Sequence, residues 1–127
     1  MREILFRGKS VVHGEWLQGD LSHWVGRDEI ETFIRPIDVE AGTLVYPASV
    51  GQYTGKEDKY GTLIYEGDII KFDLFPGAQC IGVVEWSEKD CMFFMRIGER
   101  NGTSVYSSGQ VIGNIHDNPE LFEEAET

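Results

Sequence analysis

Between Val50 and Phe72, three turn signals and two short β-type runs are packed into 23 residues. The turn signals are the Gly55, Asp58-Lys59-Tyr60-Gly61 and Glu66-Gly67 stretches, and Asp68 to Phe72 follows them as a strong strand. Glycine and Asx residues at that density admit only short extended segments joined by tight bends. Outside the C-terminus no stretch shows a helical apolar period, so the pattern predicts a mainly β chain of short antiparallel strands.

The flanking sequence extends this reading. Ile4–Phe6, Glu15–Leu21, Thr32–Arg35 and Thr43–Tyr46 read as early strands, the last two stopped by Pro36 and Pro47, which lack the amide donor a central strand requires. Phe75-Pro76-Gly77 reads as a loop. Ile81–Trp86 and Met92–Ile97 read as a hairpin around Ser87-Glu88-Lys89-Asp90, and Asn101-Gly102 has the composition of a type I′ turn. Val111–Ile115 is the last strand. Asn118 as cap, Pro119 in the first turn and Glu120 near the positive end of the dipole predict a short C-terminal helix. The strands after residue 60 fit a small SH3-like or half-closed barrel, which protects strand edges. The expected organisation is one domain with two β lobes, 1–50 and 51–122, and a frayed acidic tail, 123–127. Whether the first 50 residues extend the later sheet or form a second one stays open at this level.

Composition narrows the function classes. At 127 residues the chain buries enough surface to fold without a disulfide or metal. No apolar run approaches the ~20 residues of a membrane helix, and the charged start Met1–Lys9 lacks a signal peptide's apolar core. The chain is therefore expected to stay in the cytoplasm where it is made. Net charge is -11, and five acidic and no basic side chains follow from Asp117 onward. Lys56 and Lys59 are interleaved with Glu57 and Asp58, so no basic cluster serves phosphate neutralisation, and direct nucleic-acid binding is disfavoured. An acidic mimic of nucleic acid is the alternative that this charge allows.

The cysteines argue in the same direction. With Cys91 placed across from Trp86, Cys80 lies roughly 20 Å away along the strand at ~3.3 Å per residue. A disulfide spans only about 7 Å between Cα atoms. Two buried free thiols in a reducing compartment are expected.

Five blocks of sequence resemble the YopX family. They are Arg2–Lys9, Gly14-Glu15-Trp16-Leu17-Gln18-Gly19-Asp20-Leu21, Val50-Gly51-Gln52-Tyr53-Thr54-Gly55, Ile64-Tyr65-Glu66-Gly67-Asp68-Ile69-Ile70 and Val111–Leu121. They fall in the family's order across nearly the whole chain, while Ser22–Ala48 and Asp73–Gly109 match weakly. Glu57 departs from the Lys or neutral residue usual before the following Asp. The resemblance implies a small β-rich protein encoded by phages and prophages, and it carries over no catalytic residue.

No local pattern supplies chemistry. Gly8-Lys9-Ser10 lacks the glycine that a phosphate-binding loop places five residues earlier, where Glu3 stands. His13, Glu15 and His23 have no completing ligands, so no metal and no cofactor is expected. His116 beside Asp117 has no nucleophile placed by any motif. Glu66 and Asp68 share a strand face and are weak binding candidates, with satisfaction of amides at the Gly67 turn as the plainer role. Tyr53, Tyr60 and Tyr65 are candidates for a binding surface. Trp16, Trp24 and Trp86 join them as candidates for that surface, with filling the core as their plainer role. The expected function is non-enzymatic: contact with a protein partner, or self-association as a homo-oligomer, through strand edges and aromatics around Gln52 to Asp68.

Overall fold

Alternating side chains, with prolines and glycines as punctuation, produce eleven strands among the described residues of the computed structural model, which cover 2–98 and 101–126. The chain separates into two units, Met1–Tyr53 and Thr54–Thr127. All strand pairing given by register is antiparallel.

The first unit holds β1 (Phe6–Lys9), β2 (Trp16–Val25), β3 (Ile30–Arg35), β4 (Thr43–Leu44) and the start of β5 (Gly51–Glu57), in the sheet order β4-β3-β2-β1-β5. β1 is central, pairing Phe6 with Gly19 of β2 and with Gln52 of β5. Its Gly8 is a packing residue. A Cβ there would stand 2.9 Å from Val45 Cγ2 and 3.2 Å from Ile34 Cγ1. The bare backbone thus lets the fully buried Ile34 and Val45 settle onto β1. Pro36 ends its segment as the sequence predicts, β3 stopping at Arg35, whereas β4 stops already at Leu44 and Pro47 opens a 3₁₀ turn, Pro47–Ser49. Buried Ser49 fastens that turn, its Oγ donating to Tyr46 O (2.6 Å) and accepting the Lys9 amide (2.8 Å).

β5 carries the chain into the second unit, where β6 (Leu63–Tyr65) flanks it. β7 (Asp68–Asp73), β8 (Gln79–Ser87), β9 (Met92–Ile97), β10 (Asn101–Thr103) and β11 (Gln110–Asn114) form a sheet of order β10-β9-β8-β7-β11. Both faces of β7 are covered, which explains its unbroken apolar Ile69-Ile70. Ile70 and Phe72 join Ile64, Val84, Met95 and Val105 on one face. Ile69 and Val83 face the other way, against Phe122 of α1 (Pro119–Glu126). The helix starts at the expected proline, while Asn118 Oδ1 accepts the Asn114 amide (3.3 Å) and ties the helix entry to β11.

The mainly β class, the antiparallel sheets and the short C-terminal helix are as the sequence predicts. Of the barrel forms, a closed one is absent: β10 and β11 end the sheet as separate edges. Four local expectations are corrected. Trp86 pairs with Phe93, not Cys91, because a T-shaped ring contact (centroids 5.0 Å apart) sets the hairpin register. Cys91 consequently lies in the turn, with φ 52°, and is exposed rather than buried, while Cys80 is half-buried; both thiols are free. The Asn101-Gly102 pair lies in β10 opposite Ile97 and Arg96; the connection before it falls on Glu99 and Arg100, outside the described residues. The tryptophans do not fill the core, since Trp24 and Trp86 are exposed and Trp16 is half-buried. Of the tail, Glu123 continues the helix, and Thr127 lies outside the described residues. No described helix is long and apolar enough to cross a membrane.

Candidate functional site

The residues singled out by sequence occupy different environments. In the first unit, Tyr53 is buried, its amide bonded to Leu5 O at 2.9 Å. In the second, Tyr65 is buried and Tyr60 is exposed, with Lys59 Nζ 5.2 Å from its ring centre. Asp68 is 1% exposed and its Oδ2 accepts the Tyr65 amide at 2.8 Å, across the turn where Gly67 takes φ 90°. Glu66 is half-buried. Tyr60 alone of the five presents an exposed side chain.

Sequence reasoning missed Asp58. Its buried carboxylate accepts three backbone amides: Tyr60 (2.8 Å) and Thr62 (2.9 Å) through Oδ1, and Val111 (2.9 Å) through Oδ2. Burial pushes its pKa up, but the amides of Val111, Thr62 and Tyr60 and the Thr62 hydroxyl outweigh it, leaving the net shift downward. The Asp-x-Tyr signal was legible as an Asx turn. The bond to Val111, 53 residues away, was not.

The remaining chemical candidates are dispersed. His13, Glu15 and His23 are exposed. Asp117 Oδ2 accepts from Asn114 Nδ2 at 3.3 Å, and Asn114 Oδ1 accepts the His116 and Asp117 amides, each at 2.9 Å. Among the described residues no group of three or more His, Cys, Asp or Glu side chains is placed to hold a metal. A cleft of about 460 Å³ between Gln79, Ile81, Ile97, Asn101 and Phe122 contains, among the described residues, one titratable side chain, Cys80.

An exposed apolar surface lies at the far end of the β2–β3 hairpin. Register continues through Trp24↔Glu31 to Val25↔Ile30, and Gly26 N–H closes the bend onto Glu29 O at 2.8 Å. Yet Trp24 is 66%, Val25 74% and Ile30 61% exposed. Neighbouring strands stop short: β1 pairs β2 only from Trp16 to Gly19, and β4 pairs β3 only at Phe33 and Ile34. Because paired residues share a face, Val25 and Ile30 continue the face that carries buried Ile34, while Trp24 lies opposite. Asp28, Glu29 and Glu31 surround this ribbon, with Arg27 the one cation between Ser22 and Phe33. No reading of alternation alone could find it, since the strand continues after its cover has ended.

The architecture defines a small, mainly β protein of two antiparallel sheets and one short helix, with an apolar ribbon end displayed to solvent. The family model described as YopX protein matches residues 5–123, and the chain belongs to the YopX family. Its fold is similar to that of protein EF1440 from Enterococcus faecalis. The two agree with a TM-score of 0.54 at 22% identity, over 96% of this chain and 99% of that chain. No curated protein matches.

Proposed function

We propose that this chain is a non-enzymatic binding protein whose working surface is the distal β2–β3 ribbon, and that its partner is an extended protein segment. The single observation that carries the reading is the exposure of Trp24, Val25 and Ile30 on regularly paired strands. Isolated two-stranded ribbons are marginal in water, and an apolar one with open edges is a ready template for another strand. The acidic rim of Asp28, Glu29 and Glu31 favours a segment in which lysine or arginine alternates with apolar residues. Support for a non-enzymatic role comes from Asp58 and Asp68, whose carboxylates are engaged with backbone amides. Free Cys80 and exposed Cys91 support a reducing compartment. This suits the bacterial cytoplasm and the phage or prophage origin that the family resemblance implies.

An alternating valine–lysine peptide, fluorescently labelled, is the probe. Saturable binding that survives about 0.5 M salt, where the Debye length is only a few ångströms, is expected. The triple variant Trp24→Ser, Val25→Thr, Ile30→Thr should abolish it. Equal binding by that variant refutes the reading. Binding that vanishes with salt favours the acidic-mimic alternative, and self-association lost in the same variant identifies a second copy as the occupant.

A further inference from the structure

A second, chemically different site lies in the C-terminal unit. Lys71 and Asp73 are two residues apart on β7 and so share a sheet face. Their cross-strand partners Gln110 and Gln79 carry side chains to that same face. Lys59 and Ser108 complete a cleft of about 150 Å³ lined by these six residues and Phe72. The Asp58–Val111 bond and the Lys59 N–H to Gly109 O bond (3.1 Å) fix the two loops that bring Lys59 and Ser108 there. Among the described residues no ion pair engages Lys59, Lys71 or Asp73. In a chain of net charge -11, two lysines and one aspartate, none of them in an ion pair, line this cleft together with amide and hydroxyl donors and give it a local positive balance, although Lys59 Nζ also stands 5.2 Å from the Tyr60 ring centre.

We propose that this cleft binds a protonated tetrahedral oxyanion: hydrogen phosphate, or the phosphate group of a small monoester. Three features choose this class. The lining holds no arginine, whose planar fork suits carboxylates, whereas lysines act as point charges around a compact anion. The volume of about 150 Å³ is enough for a phosphate and a short substituent. Asp73, which when ionised can only accept, favours a ligand that brings a proton over one that brings none. Hydrogen phosphate brings one; sulfate does not.

The experiment is an NMR titration of the whole chain at pH 6, where a monoester keeps its last proton about half the time. The probes are inorganic phosphate, glycerol phosphate and sulfate at matched ionic strength. Saturable shifts are expected at Lys59, Lys71, Asp73, Gln79, Ser108 and Gln110, with sulfate at least about tenfold weaker. Tighter binding of the ester would identify a phosphorylated small molecule, and tighter binding of phosphate the free ion; both support the site. Lys71→Gln should weaken phosphate about tenfold, and Asp73→Asn should narrow the phosphate–sulfate gap by a similar factor. Lys89→Gln, in the β8–β9 turn, should change neither. Because Lys71 and Asp73 are exposed, both variants keep the fold. Absence of saturable phosphate shifts, equal sulfate affinity, or unchanged binding by Lys71→Gln overturns the proposal.

Discussion

Replacing Asp58 by alanine should damage the second unit more than any surface substitution. The carboxylate is the shared acceptor for the amides of Tyr60, Thr62 and Val111, at 2.8, 2.9 and 2.9 Å. Hydrogen bonds to a charged group contribute about 1.5–3 kcal/mol each. They are not additive, and water reaches part of the loop once the side chain is gone. A loss of about 3–5 kcal/mol follows, large on the usual scale of single substitutions. Asp58→Asn keeps one oxygen for Tyr60 and Thr62 but turns an NH₂ towards the Val111 N–H, so about 2–3 kcal/mol is expected. Urea denaturation with an unchanged slope measures both, and hydrogen exchange at Val111 localises the effect. The pH dependence has a definite sign. The folded pKa is lowered, so the contribution is present above the unfolded value of about 3.9 and is lost as pH falls through the folded one. The gap between wild type and Asp58→Asn should therefore shrink only below about pH 4. An Asp58→Asn stability within about 0.5 kcal/mol of wild type at pH 7, or a gap constant down to pH 2, refutes the fastener role.

Three further outcomes follow from burial and packing. Tyr53→Ala and Tyr65→Ala should each cost about 3–5 kcal/mol in thermal or urea unfolding, as loss of a buried aromatic does; both side chains are buried. Gly8→Ala should cost about 1–3 kcal/mol, the usual penalty of overpacking, because the new methyl would stand 2.9 Å from Val45 Cγ2. Ellman's reagent should modify exposed Cys91 promptly in the native protein and half-buried Cys80 more slowly, giving two resolved phases.

What was legible in the sequence was local. Gly61, Gly67 and Gly77 each take φ between 83° and 90°, as turn glycines should, and Pro36 ends β3 where the missing amide demands it. What was not legible depends on distant partners. The β8–β9 register rests on an aromatic contact between Trp86 and Phe93, a choice among several pairings that alternation leaves equivalent. Asp58 reads as one more turn residue until Val111 arrives beside it. Tyr53 and Tyr65 looked like surface aromatics because their covering strands lie elsewhere in the chain. The ribbon end was hidden for the opposite reason: Trp24, Val25 and Ile30 have core composition, and only the early end of pairing from β1 and β4 shows that nothing covers them. The lysine-lined cleft depends on register, which places Gln110 beside Lys71 and Gln79 beside Asp73.

Amide hydrogen exchange across Ser22–Glu31, with and without the valine–lysine peptide, is the decisive measurement. Strand addition predicts slowed exchange along the open edge of β2 from Ser22 to Val25 and no change in the β8–β9 hairpin. Saturation by the peptide with exchange at Ser22–Val25 unaltered would place the working surface elsewhere and contradict the account.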